Sequence, residues 1–433
     1  MGKLAAEKSG YGLAFALVVS LFFAWGVANS LNDILIPQFK KAFVLSDLQT
    51  GLVQSAFYGG YFVFAMPAAL FMRRFGYKAA VLFGLVLYAL GALLFFPAAE
   101  QQKYVFFLGA LFVIASGLSF LETSANPLVA VLGSTSTSER RLNFAQAFNP
   151  LGVLFGVYIG SQFILSDKQL PAREVAHAVV GPYLVIAAIV LMWMLLLAVV
   201  KFPPVATART TGQEAGKGQF LQLFRYPRFL FGVVAQFFYV AAQVSVWSFT
   251  IRYTQHAVPS LPITNGFVLW HGWLPLPTAV SAALILLISQ TLFMIGRFVG
   301  TALMGRVDPE RLMGAYAAIA AALTASATLI GGWIGVVSLA CTSFFMSVMF
   351  PTIFAGAIRD LGPLTKSGSS FLVMAIIGGA LAPPIMGHIS GLFSMQYAMV
   401  VPCICFAVIM AFSLVASKGK AAAANGAPPQ TSP

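Results

Sequence analysis

Two carboxylates stand inside long apolar stretches of this sequence, and they are the residues best placed to do chemistry. Asp33 lies in FFAWGVANSLNDILIPQF and Glu122 lies in SFLETSANPLVA. Of the 12 acidic residues, only these two fall inside predicted membrane spans. A charged side chain at the centre of a spanning helix costs about 2.5–3.5 kcal/mol, so each needs a partner, an aqueous cavity or a proton. No Lys or Arg of the same half lies inside a span, which favours a functional role.

Amide and aromatic side chains share helical faces with these two acids. Asn29 and Asp33 are i,i+4 in the first apolar run, with Trp25 one turn further back on the same face. Glu122 and Asn126 have the same separation in a later run. Each acid therefore belongs to a polar stripe.

Two other apolar runs carry similar stripes. Gln146 and Asn149 are i,i+3 in NFAQAFNPLG, and Gln243 and Trp247 are i,i+4 in AAQVSVWSF. Amides donate and accept hydrogen bonds as sugar hydroxyls require, and an aromatic face can stack on the apolar C–H face of a sugar ring. The stripes therefore favour a polyhydroxylated solute such as a hexose, although a single amide could equally bridge two helices.

The composition defines the environment of these stripes. The chain has 433 residues, of which 59% are hydrophobic and 9% are charged, a balance typical of a polytopic membrane protein. The apolar runs are long and uniform, which predicts helices, because barrel strands would alternate apolar and polar residues. The net charge of +13 comes from basic residues between the runs, so it indicates membrane topology rather than nucleic-acid binding.

Hydropathy predicts an all-α polytopic membrane protein with twelve transmembrane helices in two six-helix domains. The expected domains are residues 1–201 and 228–416, joined by a cytoplasmic linker at 202–227 and followed by a disordered cytoplasmic tail at 417–433. The spans are expected near 11–36, 48–72, 78–98, 104–132, 142–165, 179–201, 228–251, 278–304, 312–332, 334–357, 367–391 and 395–416.

The basic residues predict the orientation. With both termini in the cytoplasm, most of the 25 Lys and Arg fall on the cytoplasmic side, which predicts a multi-pass protein of the bacterial inner membrane. Arg297 is expected near the cytoplasmic end of the eighth span, where it reaches the interface or pairs with loop carboxylates. The histidines and the three cysteines show no metal-ligand spacing, so neither a metal nor a cofactor is expected.

The two halves carry related segments at equivalent places. The second span is followed by PAALFMRRFGYKAAVLFG and the eighth by GRFVGTALMGRVDPERLMGAYA. Each segment has small residues at a helix end, a basic turn and then another span, which resembles the loop signature of the major facilitator superfamily. That resemblance implies twelve helices in two six-helix domains around a central substrate cavity. Both copies depart from the full signature, and the first lacks the usual acidic residue.

A narrower resemblance covers residues 14–412. The chain is similar to the fucose–galactose–glucose proton symporter family in WGVANSLNDILIPQF, GLVQSAFYGGYF, FLETSANPLVAVLG, RLNFAQAFN, AQFFYVAAQVSVWSFTIRY, FPTIFAGAIRDLG and GSSFLVMAIIGGALAPPIMG. The resemblance implies that Asp33 and Glu122 are the cavity acids tied to proton coupling and sugar binding. It also implies a cavity lined by Trp25, Gln146, Asn149, Trp247 and Phe293.

Two positions depart from the family pattern. The pattern has Asn at the position of Ser30 and Tyr at that of Phe350, and both changes shorten the polar reach of the expected pocket. Glucose, galactose or N-acetylglucosamine therefore fits at least as well as fucose. The full set of expected sugar contacts is Trp25, Asn29, Ser30, Asn126, Gln146, Asn149, Gln243, Trp247, Phe293 and Phe350.

The sequence predicts a secondary active transporter, not an enzyme, in which a proton gradient drives hexose uptake by alternating access. Asp33 and Glu122 would carry the proton, because burial disfavours the charged form of a carboxyl group. The expected partners are a sugar, protons and the lipid bilayer, without nucleic acid, and a monomer is expected. The alternatives are a sodium-coupled sugar symporter, a drug/proton antiporter of the same fold, or a scaffold or sensor. A membrane enzyme lacks support, because the sequence shows no nucleophile or metal constellation.

Overall fold

The fold is built almost entirely from helices. The computed structural model describes residues 12–43, 47–132, 134–163, 172–202, 204, 219–261, 267–270, 274–277 and 281–424. For some of these residues, Asn29 and Asp33 among them, the side chains lie outside the described set.

Contacts between residues divide the chain into two compact units. The first unit comprises Met1–Tyr226 and Ile358–Ile377, and the second comprises Pro227–Ala357 and Gly378–Pro433. The break at Tyr226 falls at the end of the predicted linker. The segment Ile358–Ile377, which the sequence prediction places in the second domain, belongs by its contacts to the first unit.

The first unit consists of long apolar helices joined by short connections. Within it, α2 packs along α4 and α1 packs along α6. The helices are α1 (Gly12–Ala42), α2 (Asp47–Leu93), α3 (Phe95–Gln101), α4 (Tyr104–Val131), α5 (Ser138–Gln146), α6 (Phe148–Phe163), α7 (Ala172–Val199), α8 (Gln219–Gln222) and α14 (Thr365–Met374).

The second unit adds one short β-hairpin to its helices. Its helices are α9 (Pro227–Ala257), α10 (Ala282–Leu303), α11 (Pro309–Leu329), α12 (Gly332–Met346), α13 (Met349–Ile358), α15 (Gly378–Leu392) and α16 (Val400–Ala424). Strands β1 (Phe267–Trp270) and β2 (Leu274–Pro277) pair antiparallel between α9 and α10. The sequence prediction contains no such hairpin, and it ends the last span at residue 416, whereas α16 continues to Ala424.

The helices have the length and composition of membrane spans. In the part of the chain that the structure describes, nine helical segments are long and apolar enough to cross a membrane. One of them, Ala56–Gln101, includes residues of two predicted spans, and Gly12–Ala28 is a shorter apolar helix. The all-α membrane class is therefore confirmed, while the count of twelve stays a prediction.

The turn between the second and third predicted spans lies inside α2. At Gly76 the backbone has φ 87° and ψ 172°, so two helical stretches meet there at a break. A glycine adopts this positive φ without the strain that a side chain would cause. Just beyond it, Lys78 Nζ donates hydrogen bonds of 2.8 Å to the carbonyl oxygens of Ala198 and Val200 at the end of α7.

Glycines bring the helices of the first unit close together. A Cβ atom at Gly152 of α6 would collide with the backbone carbonyl group of Phe23, and one at Gly26 of α1 with that of Asn149. Gly60 of α2 has the same relation to α4. Small residues at such crossings let backbones approach closely, which drives association of membrane helices.

Each unit has an ion pair near helix ends, in which the carboxylate is buried and the arginine is partly exposed. In the first unit Arg359 pairs with Glu139 of α5, and in the second Arg228 pairs with Glu310 of α11. Burial lowers the pKa of the Arg359 guanidinium, and the neighbouring Asp360 acts in the opposite direction. The Arg359–Glu139 pair links the segment Ile358–Ile377 to α5. Breaking it would be costly, because the remaining partner would be a buried charge without compensation.

Candidate functional site

A tryptophan–tyrosine pair forms one side of the candidate site in the first unit. Trp25 of α1 donates a hydrogen bond of 2.7 Å from its Nε1 to the hydroxyl oxygen of Tyr61 on α2. Both side chains are buried, each with 4% of its surface exposed. The ring of Phe22 stacks on the Trp25 indole with 5.3 Å between centroids. The indole is thus held in one orientation by a hydrogen bond and a ring contact.

A carboxyl–amide group forms the other side. Glu122 is 9% exposed and interacts electrostatically with Asn126, one turn further along α4. Asn126 is fully buried, and its Oδ1 accepts a hydrogen bond of 2.9 Å from Gln146 Nε2 at the end of α5. The structure therefore brings together three predicted site residues from two helices.

The contact between α2 and α4 brings these two groups together. Ser119 of α4, one turn before Glu122, donates a hydrogen bond of 2.9 Å to the Tyr61 carbonyl oxygen, and Glu122 acts electrostatically on the Tyr61 hydroxyl. We call this set the first-unit cluster: Trp25, Tyr61, Glu122, Asn126 and Gln146.

Two polar atoms beside the cluster lack a hydrogen-bond partner among the described residues. They are Asn126 Nδ2 and Thr123 Oγ1, both buried. Buried polar atoms are nearly always paired in native proteins, so atoms left open here suit a polar ligand or water.

Asn149 and Ser30, two further predicted site residues of the first unit, hydrogen-bond to backbone carbonyl groups. Asn149 Nδ2 donates a hydrogen bond of 3.2 Å to the carbonyl oxygen of Phe22, which ties α6 to α1. The Ser30 hydroxyl donates to the carbonyl oxygen of Val27 at 2.9 Å and lies against Gly156 of α6. In this conformation Ser30 contributes to helix packing. The side chains of Asn29 and Asp33 lie outside the described residues.

In the second unit an aromatic pair is fixed by serines. Trp247 of α9 donates a hydrogen bond of 3.1 Å from Nε1 to Ser343 Oγ on α12, which is 2.6 Å from Ser289 Oγ on α10. The rings of Trp247 and Phe293 meet edge to face with 5.0 Å between centroids. Two predicted aromatic residues are therefore in direct contact. Gln243, one turn before Trp247, is half-buried.

Arg297 belongs to this aromatic group, which corrects the expectation that it reaches the interface or pairs with loop carboxylates. It is 4% exposed, and its Nε donates a hydrogen bond of 2.7 Å to the carbonyl oxygen of Ser347. Its guanidinium lies over the Phe293 ring, 4.5 Å from the centroid, and acts electrostatically on Tyr239. A guanidinium stacks on an aromatic face and donates to a carbonyl at once, which makes this burial possible.

Phe350 extends the group. Its ring contacts Tyr239 edge to face, with 5.9 Å between centroids, and stacks near Phe354. We call Trp247, Phe293, Arg297, Tyr239 and Phe350 the second-unit cluster.

Sequence reasoning missed Tyr61 and Ser343. Tyr61 lies within a quoted family segment, GLVQSAFYGGYF. A tyrosine inside an apolar span carries a hydroxyl that needs a partner, which was a usable signal. The partners themselves lie on other helices, so they could not be inferred from spacing.

Among the described residues, no group of three His, Cys, Asp or Glu side chains could hold a metal ion. The chemistry of the described clusters is therefore that of amides, hydroxyls, aromatic faces, one carboxyl group and one guanidinium.

The fold is that of a membrane transport protein, and residues 13–371 match the family described as Major Facilitator Superfamily. The chain belongs to the major facilitator superfamily. It is a transporter and not an enzyme.

Individual relatives align with nearly the whole chain. The L-fucose-proton symporter of Escherichia coli (strain K12) is 44% identical over 95% of this chain and 94% of its own length. The glucose/galactose transporter of Brucella abortus (strain 2308) is 35% identical over 95% of this chain and 96% of its own. A crystal structure of the E. coli fucose:proton symporter, FucP, matches with a TM-score of 0.81 and 42% identity, over 94% of this chain and 99% of that one. The predicted family resemblance is confirmed.

Proposed function

We propose that this protein takes up a hexose together with protons, as a secondary active transporter that works by alternating access. The observation that carries the proposal is the first-unit cluster, where a buried carboxyl group, two amides and a fixed indole meet. Relatives that align with nearly the whole chain are a fucose-proton symporter and a glucose/galactose transporter, which supports a hexose as the substrate.

The first-unit cluster suits a sugar. The amides of Asn126 and Gln146 present donors and acceptors for ring hydroxyls. The face of Trp25 offers a platform for the C–H side of the ring. Asn29, Ser30 and Asn149 complete the proposed contacts of this unit.

The second-unit cluster is proposed as a further set of sugar contacts. Trp247, Phe293 and Phe350 present aromatic surface, and Gln243 adds an amide on the same helix as Trp247. At Ser30 and Phe350 the family pattern has Asn and Tyr, whose polar groups extend further. Glucose, galactose and N-acetylglucosamine are therefore proposed as candidate substrates in addition to fucose.

Asp33 and Glu122 are the proposed proton carriers. Each can take a proton from the outside and release it inside, because a carboxyl group removed from water favours its neutral form. Moving one charge inward down a potential of 100 mV is worth about 2.3 kcal/mol, which supports roughly fiftyfold accumulation of a neutral sugar.

The protein is proposed to work as a monomer in the bacterial inner membrane, with both termini in the cytoplasm. The proposed domains are 1–201 and 228–416, with a cytoplasmic linker at 202–227 and a cytoplasmic tail at 417–433, in which residues up to Ala424 continue α16. The distribution of Lys and Arg supports this orientation.

Uptake into liposomes tests the proposal. Purified protein is reconstituted and offered a panel of radiolabelled hexoses, 6-deoxyhexoses and N-acetylhexosamines, with and without an alkaline-inside pH gradient and with sodium replaced by choline. We expect one hexose class to accumulate only when the gradient is present, regardless of sodium. Trp25→Leu should lower the uptake rate at low sugar about five- to tenfold through lost stacking.

The matched control is Trp333→Leu, because Trp333 is 49% exposed on α12 and lies outside both clusters. It should transport like the unaltered protein. Accumulation driven by sodium alone would indicate a sodium symporter, and gradient-driven movement of an apolar drug without any hexose would indicate an antiporter. No movement of any solute would favour a scaffold or sensor.

A further inference from the structure

Tyr61 interacts both with Trp25, which is proposed to stack on the sugar, and with Glu122, a proposed proton carrier. Its hydroxyl oxygen accepts the hydrogen bond of Trp25 Nε1 at 2.7 Å, and the charge of Glu122 acts on the same hydroxyl. Among the described residues, Trp25 Nε1 is the one group hydrogen-bonded to this hydroxyl, which acts there as the acceptor. A phenol hydroxyl can also donate one hydrogen bond.

The backbone around Tyr61 is fixed from the side of α4. Ser119 Oγ donates a hydrogen bond of 2.9 Å to the Tyr61 carbonyl oxygen. Gly60, the preceding residue, lies so close to Ala115 and Phe112 that a Cβ atom there would clash. The α2–α4 contact therefore fixes the backbone from which the Tyr61 side chain extends.

A hydroxyl that accepts one hydrogen bond and donates another couples its two neighbours. When its proton points toward an anion, its lone pairs become better acceptors, because hydrogen bonds in a chain polarise one another. An ionised Glu122 would draw the Tyr61 proton toward itself and strengthen the bond from Trp25. A protonated Glu122 removes that attraction.

We propose that Tyr61 is a positioning residue for transport, whose hydroxyl orients the Trp25 indole and makes that orientation depend on the ionisation of Glu122. The inference rests on the proposed function, because it assumes that Trp25 contacts the sugar and Glu122 carries a proton. The Tyr61 hydroxyl would connect the indole proposed to contact the sugar with the carboxyl group proposed to carry the proton.

Other titratable groups lie on the elements packed against α4. Their influence has to be separated from that of Glu122. They include Tyr58 and Tyr88 on α2, which act electrostatically on Tyr61, Asp33 on α1 with its side chain outside the described set, Arg141 on α5, which donates to the carbonyl oxygen of Val129, and Lys366 on α14, which lies over the Tyr77 ring.

The test is the indole Nε1–H resonance of Trp25 in ¹⁵N-labelled protein, assigned by its disappearance in Trp25→Phe. In the unaltered protein we expect this resonance to shift with pH. Tyr61→Phe keeps the ring and removes only the hydroxyl, so the resonance should move to higher field and lose its pH dependence. Glu122→Gln should retain the hydrogen-bonded position and lose the pH dependence, whereas Asp33→Asn should retain both.

Tyr88→Phe is the matched control. Tyr88 is also buried on α2, and its hydroxyl lies 3.4 Å from the carbonyl oxygen of Ala24 on α1, beside Trp25 but not bonded to its indole. This variant should leave the Trp25 resonance and its pH dependence unchanged. For sugar, Tyr61→Phe should raise the KM about two- to tenfold with kcat retained, the factor that one net hydrogen bond provides.

An unchanged resonance and pH dependence in Tyr61→Phe would overturn the inference. So would a wild-type resonance that does not move with pH, or one whose movement persists in Glu122→Gln. If the unaltered protein moves no hexose, the proposed function fails, and the resonance still decides whether Tyr61 links Trp25 to Glu122.

Discussion

Glu122 is a buried carboxyl group whose immediate neighbours in the first-unit cluster are an amide and a tyrosine hydroxyl. Replacing it with Gln preserves shape and most hydrogen-bonding capacity but removes the exchangeable proton. We therefore expect Glu122→Gln to lose accumulation driven by a pH gradient while it still exchanges labelled for unlabelled sugar at equal concentrations. Both quantities can be measured in the same liposomes.

The control for this prediction is Glu100→Gln, the same change at an exposed acid at the end of α3. It should leave accumulation and exchange unaltered. Accumulation in Glu122→Gln equal to that of the unaltered protein would remove Glu122 from the coupling mechanism and leave Asp33 as the remaining candidate.

At the residue scale, spacing predicted the contact partners within a helix better than those between helices. The i,i+4 pair Glu122 and Asn126 does interact, because helical geometry alone brings such side chains together. The Trp25–Tyr61 bond joins residues that are far apart in sequence, so no local pattern could show it. The expected position of Arg297 was wrong, because hydropathy records the charge of this side chain but not its partners. The Phe293 ring and the Ser347 carbonyl group stabilise the guanidinium in its buried position.

At the scale of elements, the contact between α1 and α6 holds the Trp25 region in place. Gly152 lies against the backbone of Phe23, so any side chain at this position must push the two helices apart. We expect Gly152→Ala to destabilise the folded protein by about 1–3 kcal/mol, the usual cost of overpacking. The measurement is the thermal unfolding temperature of purified protein in detergent.

Gly109→Ala is the matched control, because a Cβ atom at Gly109 of α4 would meet nothing within 4 Å. Its unfolding temperature should stay the same or rise slightly, since Ala is the better helix former. Equal unfolding temperatures for the two variants would show that the α1–α6 crossing tolerates a side chain and that its closeness is not what stabilises the unit.

Helix existence followed from hydropathy, whereas helix boundaries did not. Long apolar runs must be helical in a bilayer because every backbone polar group needs a partner there. The break within α2 depends on the single backbone conformation of Gly76, and the β1–β2 hairpin depends on pairing across a turn. Pro127 lies inside α4, which continues past it to Val131. Neighbouring helices can satisfy the carbonyl group that a proline frees.

At the scale of the whole molecule, contacts group the chain differently from its order in sequence. The predicted domains followed chain order and the polar linker, so they could not place Ile358–Ile377, which the Arg359–Glu139 pair and the packing of α14 assign to the first unit. Composition did predict the membrane-spanning class correctly, because 59% hydrophobic and 9% charged residues are far from the balance of a soluble domain.

The proposed orientation of the whole molecule predicts which loops can be reached from outside the cell. Lys103, before α4, and Lys201, after α7, are both exposed, and the proposed topology places them on opposite sides of the membrane. In a background with Cys341, Cys403 and Cys405 replaced by Ala, a membrane-impermeant maleimide added to intact cells should label Lys103→Cys and not Lys201→Cys. Permeabilised cells should label both variants, which controls for accessibility. Labelling of Lys201→Cys alone in intact cells would reverse the topology, and proton-driven uptake would then have to run in the opposite direction through the fold.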